Sequence, residues 1–261
     1  MPLTHLPTVK FVLPSVTNEA GVLTYFLMPG SASSNWCTTV FNRHPDLEKR
    51  LVGCTDKETV YRACNRYAKK YRQDHKIEFE KSLKKNEKVW RPIEKNYLQT
   101  LSDHFEIAYP THRKVMKAYV SMVPIYPRYL SEWSFNVSYF VPERVTEIAC
   151  HEIQHFLFFK KWLTVFPETK FEELNHSHLV WLLSELIDPV ILNEHPEFKR
   201  LFTRKQQTYK HFQKIRIEGK QPTTHLAIMY RRYLKSNAPF EKFLRDIWKF
   251  AQENKHALMA V

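Results

Sequence analysis

A chain of 261 residues, of which 43% are hydrophobic and 14% aromatic, is long enough to bury a core, and this composition excludes a disordered protein. Only four glycines occur, and neither G-x-x-x-x-G-K-S/T nor G-x-G-x-x-G is present, which argues against nucleotide binding through such loops. The formal net charge of +13 favours acidic partners such as nucleic acid or an anionic surface.

Export signals and membrane spans are not evident in the sequence. The opening residues, MPLTHLPTVKFVL, lack a basic segment followed by a long apolar run, and no stretch approaches the roughly 18 apolar residues that a membrane span requires. The four cysteines show no C-x-x-C spacing and so predict neither a zinc ribbon nor a redox pair. We expect a cytoplasmic protein with reduced thiols and no membrane contact.

The first 55 residues predict irregular structure with two short strands. The runs TVKFVL and VLTYFLM are rich in β-branched and aromatic residues, which favour strands. Pro14 and Asn18 separate the two runs, and PGSASSN closes the second.

Residues 55–105 predict helical structure, with Asp56 as a possible N-cap and Pro92 as a point where the helix kinks or divides. Apolar and aromatic positions recur on roughly one face: Tyr61, Cys64, Tyr67, Tyr71 and Ile77. Lysine and arginine are concentrated over residues 61–95, with acidic residues at helical spacings among them. This pattern is typical of a solvated helix face, and the alternative is a surface that binds a polyanion.

Two strand-like runs follow, at residues 114–126 and 134–141. The second alternates as a half-exposed strand does. If it is an exposed edge, an extended peptide could pair with its backbone, whereas a covered strand could not bind one. Pro142 and Glu143 then mark the start of a helix that should reach Trp162.

A second apolar helix is predicted over residues 171–187, stopping or kinking before Pro189, and residues 196–261 read as further helices. We expect an α+β fold that is mainly helical, with a small twisted mixed sheet packed on these two helices. Residues 1–110 would form an N-terminal strand and basic helical region, and residues 111–261 a core with C-terminal helices, if the chain is not one continuous domain.

The motif HEIQH within the first of these helices predicts a metal site. His151 and His155 lie four residues apart, so on a helix both imidazoles project from one face and can bind one Zn²⁺ ion. Glu152 lies beside them and could take a proton from a zinc-activated water and pass it to a leaving amine. Burying these three side chains on an apolar face without a cation would be costly.

Catalytic zinc usually has three protein ligands. The extended pattern H-E-x-x-H-x-x-G-x-x-H does not apply, because Phe158 and Lys161 occupy its glycine and third-histidine positions. Glu185 is the best candidate for the third ligand, since its carboxylate interrupts an apolar run. His176 and His178 in NHSH remain alternatives.

HEIQH with a downstream glutamate on a second helix resembles the gluzincin branch of the zincin metallopeptidases, whose members include thermolysin-type enzymes. The resemblance covers only about residues 114–194. It implies a core of twisted sheet, active-site helix and glutamate helix, with zinc held by His151, His155 and Glu185. An acid often follows the glutamate in this family, and Asp188 could take that part, although its E-x-x-D spacing departs from the commoner E-x-x-x-D.

Related enzymes also use a later Tyr, His or Arg to stabilise the transition state. Here PTTHLAIMYRRYL offers His225, Tyr230 and Arg231, without a family motif to choose among them. The sequence therefore predicts a zinc metallopeptidase that acts on a peptide or protein substrate. The alternative is a non-catalytic zincin-like module whose basic surface binds nucleic acid or another polyanion.

Overall fold

The computed structural model describes residues 5–28 and 34–260, without the side chains of Ser34 and Asn35. Within these residues the chain is mainly helical and contains one small mixed sheet, which confirms the predicted α+β class. Two compact units are present. The sheet unit comprises the described parts of Pro7–Glu94 and Arg113–Ala149, and the helical unit includes residues 95–112 and 150–260. Both units are discontinuous in sequence, whereas the expected ranges 1–110 and 111–261 are continuous.

The sheet has four strands in the order β1-β2-β4-β3. Strands β1 (Thr8–Val12), β2 (Val115–Ser121) and β4 (Ser134–Ser138) run parallel, and the two-residue β3 (Arg128–Tyr129) pairs antiparallel with β4. The expected strand TVKFVL is thus confirmed as β1. Strand β3 was not predicted, because two residues are too few for a periodic pattern.

For residues 134–141, the structure excludes the exposed-edge alternative, and the predicted half-exposed strand is wrong. Strand β4 lies between β2 and β3, so it is not an edge with which a peptide could pair. All five of its residues are buried, although the sequence alternation predicted a half-exposed strand. Parallel strands are commonly covered on both faces. The alternation of residue types in β4 therefore does not correspond to one buried face and one exposed face.

The N-terminal part of the sheet unit is more helical than predicted. The run VLTYFLM belongs to α1 (Val16–Leu27) and not to a strand, because Ser15 caps the helix and the residues at helical spacing are the buried ones. Helices α2 (Ser34–Arg43) and α3 (Pro45–Leu51) follow it. Of the predicted closing segment PGSASSN, residues 29–33 lie outside the described residues.

Residues 57–105 form two helices, α4 (Lys57–Asp74) and α5 (Lys76–Phe105). Asp56 is the N-cap of α4, as predicted, and accepts a hydrogen bond from the Thr59 amide at 2.7 Å. His75 separates the two helices. Pro92 does not divide α5, which continues through it. Ile77, expected on the apolar face, is 62% exposed because it begins the second helix and does not continue the first.

Two helices dominate the remainder of the chain. Helix α6 (Val145–Val165) follows a short 3-10 turn at Pro142–Arg144, as Pro142 and Glu143 predicted, and it ends slightly beyond the expected Trp162. Helix α7 (Leu179–Glu194) begins later and ends later than predicted. It runs through Pro189, because burial from Leu179 to Leu192 stabilises the helix around the missing hydrogen bond.

The C-terminal part of the helical unit contains α8 (Pro196–Lys199), α9 (Pro222–Leu234), α10 (Phe240–Glu253) and α11 (Lys255–Met259). Helix α7 packs mainly against α9. Between α8 and α9 the chain is mostly irregular, with a short 3-10 turn at Phe212–Lys214. In the described parts of the chain we find no helix with the length and apolar character needed to cross a membrane.

Candidate metal centre

Helices α6 and α7 carry the candidate ligands. On α6, His151 and His155 are separated by one turn, so their rings project from the same side. On α7, Glu185 and Asp188 are three residues apart and also share a face. His155, Glu185 and Asp188 each have side chains that are 1% exposed, whereas the His151 side chain is 28% exposed. The group is therefore buried, except on the side of His151, which is partly accessible to solvent.

The three predicted ligands converge. Nε2 of His155 lies 3.1 Å from Nε2 of His151. The Glu185 carboxylate spans the pair, with Oε2 at 3.4 Å from His151 Nε2 and Oε1 at 3.5 Å from His155 Nε2. Among the described residues this is the group of histidine, cysteine and acidic side chains whose ligand atoms could share one ion.

These spacings can be compared with a tetrahedral zinc site. Ligand atoms about 2.0–2.1 Å from a central zinc ion, arranged tetrahedrally, lie roughly 3.3–3.4 Å from one another. The three observed separations of 3.1, 3.4 and 3.5 Å fall close to that value. Two imidazole nitrogens and one carboxylate oxygen are also ligand types that zinc accepts. The residues present therefore fit a zinc ion held by three protein ligands.

Asp188 fixes the ring of His151. Its Oδ2 accepts a hydrogen bond from Nδ1 of His151 at 2.5 Å. This bond places the proton on Nδ1 and leaves the Nε2 lone pair directed toward His155 and Glu185. The E-x-x-D spacing is thus sufficient to bring the Asp188 carboxylate into hydrogen-bond contact with the candidate ligand His151.

The charges around His151 favour a cation. Burial by itself lowers the pKa of His151, but the neighbouring carboxylates raise it, Asp188 most strongly and then Glu185 and Glu152. The net result is a pKa well above the usual 6.5. A proton or a metal ion at this position is stabilised by the same negative charges.

Glu152 lies next to the ligand atoms. It is 4% exposed, and its Oε1 lies 3.9 Å from Nε2 of His151. A carboxylate at this distance from the ligand nitrogen can reach a water molecule bound at the same centre. The structure therefore places Glu152, the predicted acid/base residue, beside the candidate ligand His151.

Several supporting contacts were not predicted. The Thr208 hydroxyl donates to the Glu185 carbonyl at 3.1 Å, and the Gln154 amide donates to the Asp188 carbonyl at 3.3 Å. The Tyr97 hydroxyl donates to the carbonyl of Cys150 at 2.6 Å, just before the first ligand. Gln154 could have been found because it lies within the motif. Tyr97 and Thr208 come from distant segments that carry no recognisable signal.

The other candidates have different surroundings. His178 is exposed, and the ring of His176 lies 4.6 Å from that of Trp181, so neither joins the two motif histidines. Nε2 of His225 bonds to the carbonyl of Ile217. Neither histidine of NHSH replaces Glu185 in the cluster.

Tyr230 and Arg231 also have partners elsewhere in the helical unit. Tyr230 is fully buried, with its hydroxyl 3.1 Å from Nε2 of His104. Arg231 donates to Glu194 at 2.8 Å. The structure gives both side chains, like His225, partners outside the metal cluster, and it assigns none of the three to the transition state.

The basic region on α4 and α5 contains ion pairs one turn apart. They include Arg62 with Glu58, Lys70 with Asp74, Lys76 with Glu80, and Arg91 with Glu87. Such exposed pairs are typical of a solvated helix surface and contribute little stability. Polyanion binding by this region stays a prediction.

No family model, curated protein or solved structure matches this chain. The resemblance to gluzincins therefore rests on the motif residues and on the geometry described above.

Proposed function

We propose that this protein is a zinc-dependent metallopeptidase that hydrolyses peptide bonds. The observation that supports the proposal is the convergence of His151, His155 and Glu185 at separations of 3.1 to 3.5 Å, close to those of a tetrahedral zinc site. The identity of the metal follows from the ligand types and stays part of the proposal.

The residues of the site have distinct tasks. His151 and His155 would bind zinc through Nε2, and Glu185 would bind it through its carboxylate. Asp188 holds the tautomer of His151 that this requires. A bound zinc ion polarises a peptide carbonyl and makes water acidic enough to lose a proton near neutral pH.

Glu152 would move the proton. Its carboxylate accepts a proton from water and then donates it to the nitrogen of the leaving amine, so that the peptide bond breaks without releasing a strongly basic amide anion. Its burial keeps bulk water from competing for the proton. The adjacent HEIQH positions of His151 and Glu152 explain how one helix supplies both ligand and base.

Access is expected from the side of His151. This ring is 28% exposed, whereas the side chains of His155 and Glu185 are almost fully enclosed. A peptide that approaches from the exposed side of His151 would contact both Glu152 and Nε2 of His151. The arrangement supports hydrolysis more than a purely structural site, in which four protein ligands usually close the metal off.

The test is peptide hydrolysis by the zinc-loaded full chain. A mixed peptide library is incubated with the wild type, with Glu152→Gln and with the matched control Glu172→Gln, which changes an exposed glutamate. We expect Glu152→Gln to lower the rate by about 10² to 10⁴-fold with zinc still bound, and the control to cleave as the wild type does. Cleavage by Glu152→Gln at the wild-type rate, or none by the zinc-bound wild type, would reject the proposal.

A further inference from the structure

The sheet unit has a group of polar and aromatic side chains where its three parallel strands end. Strands β1, β2 and β4 run in the same direction, so Val12, Ser121 and Ser138 lie at one edge. In open parallel sheets, ligands bind outside this carboxyl edge.

Buried polar side chains bind the backbone just beyond these strands. Glu19 is fully buried, and its Oε1 accepts hydrogen bonds from the Met122 amide at 3.0 Å and the Ser121 hydroxyl at 3.2 Å. His44 is also fully buried, and its Nε2 donates to the Met122 carbonyl at 2.9 Å. Arg72 donates to the carbonyl of Pro14, after β1. The edge is thus held rigidly by charged and polar groups from separate helices.

Aromatic rings cover the same edge. Tyr139, directly after β4, stacks on Phe79 with centroids 4.2 Å apart, and Tyr71 stacks on His75 at 4.0 Å. The other rings in contact with this group are His44, Tyr67 and Phe140. Except for His44 and Phe79, these rings are partly exposed. They form a cluster that we call the edge platform, comprising His44, Tyr67, Tyr71, His75, Phe79, Tyr139 and Phe140.

Arg43 lies on this platform and is exposed. Its guanidinium carbon is 3.7 Å from the ring centroid of Phe140, a cation–π contact that covers one side of the group. Within the part of the chain that the structure describes, no acidic side chain pairs with Arg43. Its outer face and its N–H groups are therefore accessible to a ligand, and such a planar fork matches phosphate geometry.

The hydroxyls of Tyr71 and Tyr139 supply one more donor. Their oxygens are 2.8 Å apart, and only one of the two hydroxyl protons can lie between them. The other proton can be donated to a ligand. The platform thus offers hydrogen-bond donors, π-faces and the positive charge of Arg43. This combination favours an anion that carries a planar ring.

We propose that the edge platform binds a nucleotide unit, with the base stacked on the outer face of Arg43 and the phosphate bound by donors at the platform. Bases stack on arginine planes and aromatic side chains in many nucleic-acid sites, with no requirement for a glycine-rich loop. The net charge of +13 also attracts such a ligand. The nucleotide unit could be free or part of a single-stranded nucleic acid.

This site is independent of the proposed peptidase activity. None of its residues belongs to the metal cluster, and all of them lie in the sheet unit. Loss of one function therefore need not affect the other.

Binding is measured by fluorescence anisotropy with the full-length protein and a fluorescein-labelled ten-nucleotide oligothymidylate, and unlabelled thymidine monophosphate is added as competitor. The variants are Arg43→Ala, Arg43→Lys and Arg232→Ala. The last removes the same charge from an exposed position in the helical unit and serves as the matched control. Circular dichroism checks the fold of each variant.

We expect the oligonucleotide to bind and Arg43→Ala to weaken binding by about tenfold or more, as loss of a stacking side chain does. Arg43→Lys should be weakened nearly as much, because lysine keeps the charge but not the plane, whereas Arg232→Ala should bind as the wild type does. Displacement by the monophosphate at comparable concentration would assign a free nucleotide, and its failure to displace would assign a single strand. Equal binding by Arg43→Ala and Arg232→Ala, whether weakened or not, or no binding of the labelled oligonucleotide to the wild type, would overturn the proposal.

Discussion

Oδ2 of Asp188 lies 2.5 Å from Nδ1 of His151, on the side of the imidazole away from the nitrogen that faces His155 and Glu185. Carboxylates that bond to a ligand histidine orient the ring and make it a better metal ligand. Helix α7 therefore contributes two residues to the candidate metal centre. Glu185 is a candidate ligand, and Asp188 orients the candidate ligand His151.

Substitution of Asp188 by asparagine should weaken zinc binding. The amide is a poorer acceptor than the carboxylate and can instead donate to Nδ1, which would favour the tautomer with its proton on Nε2. We expect zinc affinity to fall by about 10- to 100-fold, measured by competition with a chromophoric chelator. Asp246→Asn, at an exposed position, is the control. Equal affinities for both variants would show that the contact with His151 does not tune the metal.

Glu19 should make the stability of the protein depend on pH. Burial raises the pKa of its carboxyl from 4.5 to about 7, against the opposing effects of the Met122 amide, Arg72 and Ser121. Because the folded-state pKa is raised, the stabilisation is complete below pH 4.5 and is lost as the pH rises through about 7.

The pKa difference of Glu19 corresponds to about 3 kcal/mol of unfolding free energy. Glu19→Gln remains neutral and can still accept from the Met122 amide, so it should lose less stability than the wild type between pH 5 and pH 8. Urea denaturation at both pH values measures this, with the exposed Glu48→Gln as control. A variant with the same pH dependence as the wild type would contradict the assignment.

His104 should have the opposite effect in acid. Burial, and to a smaller extent His195, lowers the pKa of His104 from 6.5 to about 3. Its contribution to stability is therefore present above pH 6.5 and is lost as the pH falls toward 3. The neutral ring is bonded to the Tyr230 hydroxyl at 3.1 Å.

His104→Leu should cost about 1–3 kcal/mol at pH 7, because the Tyr230 hydroxyl loses its partner in a buried site. Between pH 7 and pH 4, however, the variant should lose less unfolding free energy than the wild type, since it has no buried imidazole to protonate. Urea denaturation at the two pH values tests this. The exposed His256→Leu should behave as the wild type, and a His104 variant that is equally acid-sensitive would disprove the assignment.

The candidate metal centre was largely predictable from the sequence because its geometry is local. The spacing of His151 and His155 places both on one face of a helix, and this placement does not depend on the rest of the fold. Glu185 could be found because a carboxylate within an apolar run needs a partner. Thr208 and Tyr97 could not, because their contacts depend on how distant segments pack.

The sheet unit was predicted less well. The apolar and aromatic residues of VLTYFLM favour strands, but the buried positions of α1 follow helical spacing and determined its structure. The edge platform consists of residues from α2, α4, α5 and the end of β4. Its residues are far apart in the sequence, so no local pattern predicts that they form a cluster. Arg43 and Phe140 meet only in the folded chain.

His151, His155 and Glu185 are proposed to bind one metal ion together. The most direct test is the zinc content of purified protein after removal of metal, reloading and desalting, measured by plasma mass spectrometry. The variants are His155→Ala and Glu185→Gln, with the exposed His178→Ala as control and circular dichroism to check folding. We expect stoichiometric zinc in the wild type and the control, and strongly reduced zinc in the two folded ligand variants. A wild type that binds no zinc, or ligand variants that retain it fully, would contradict the account.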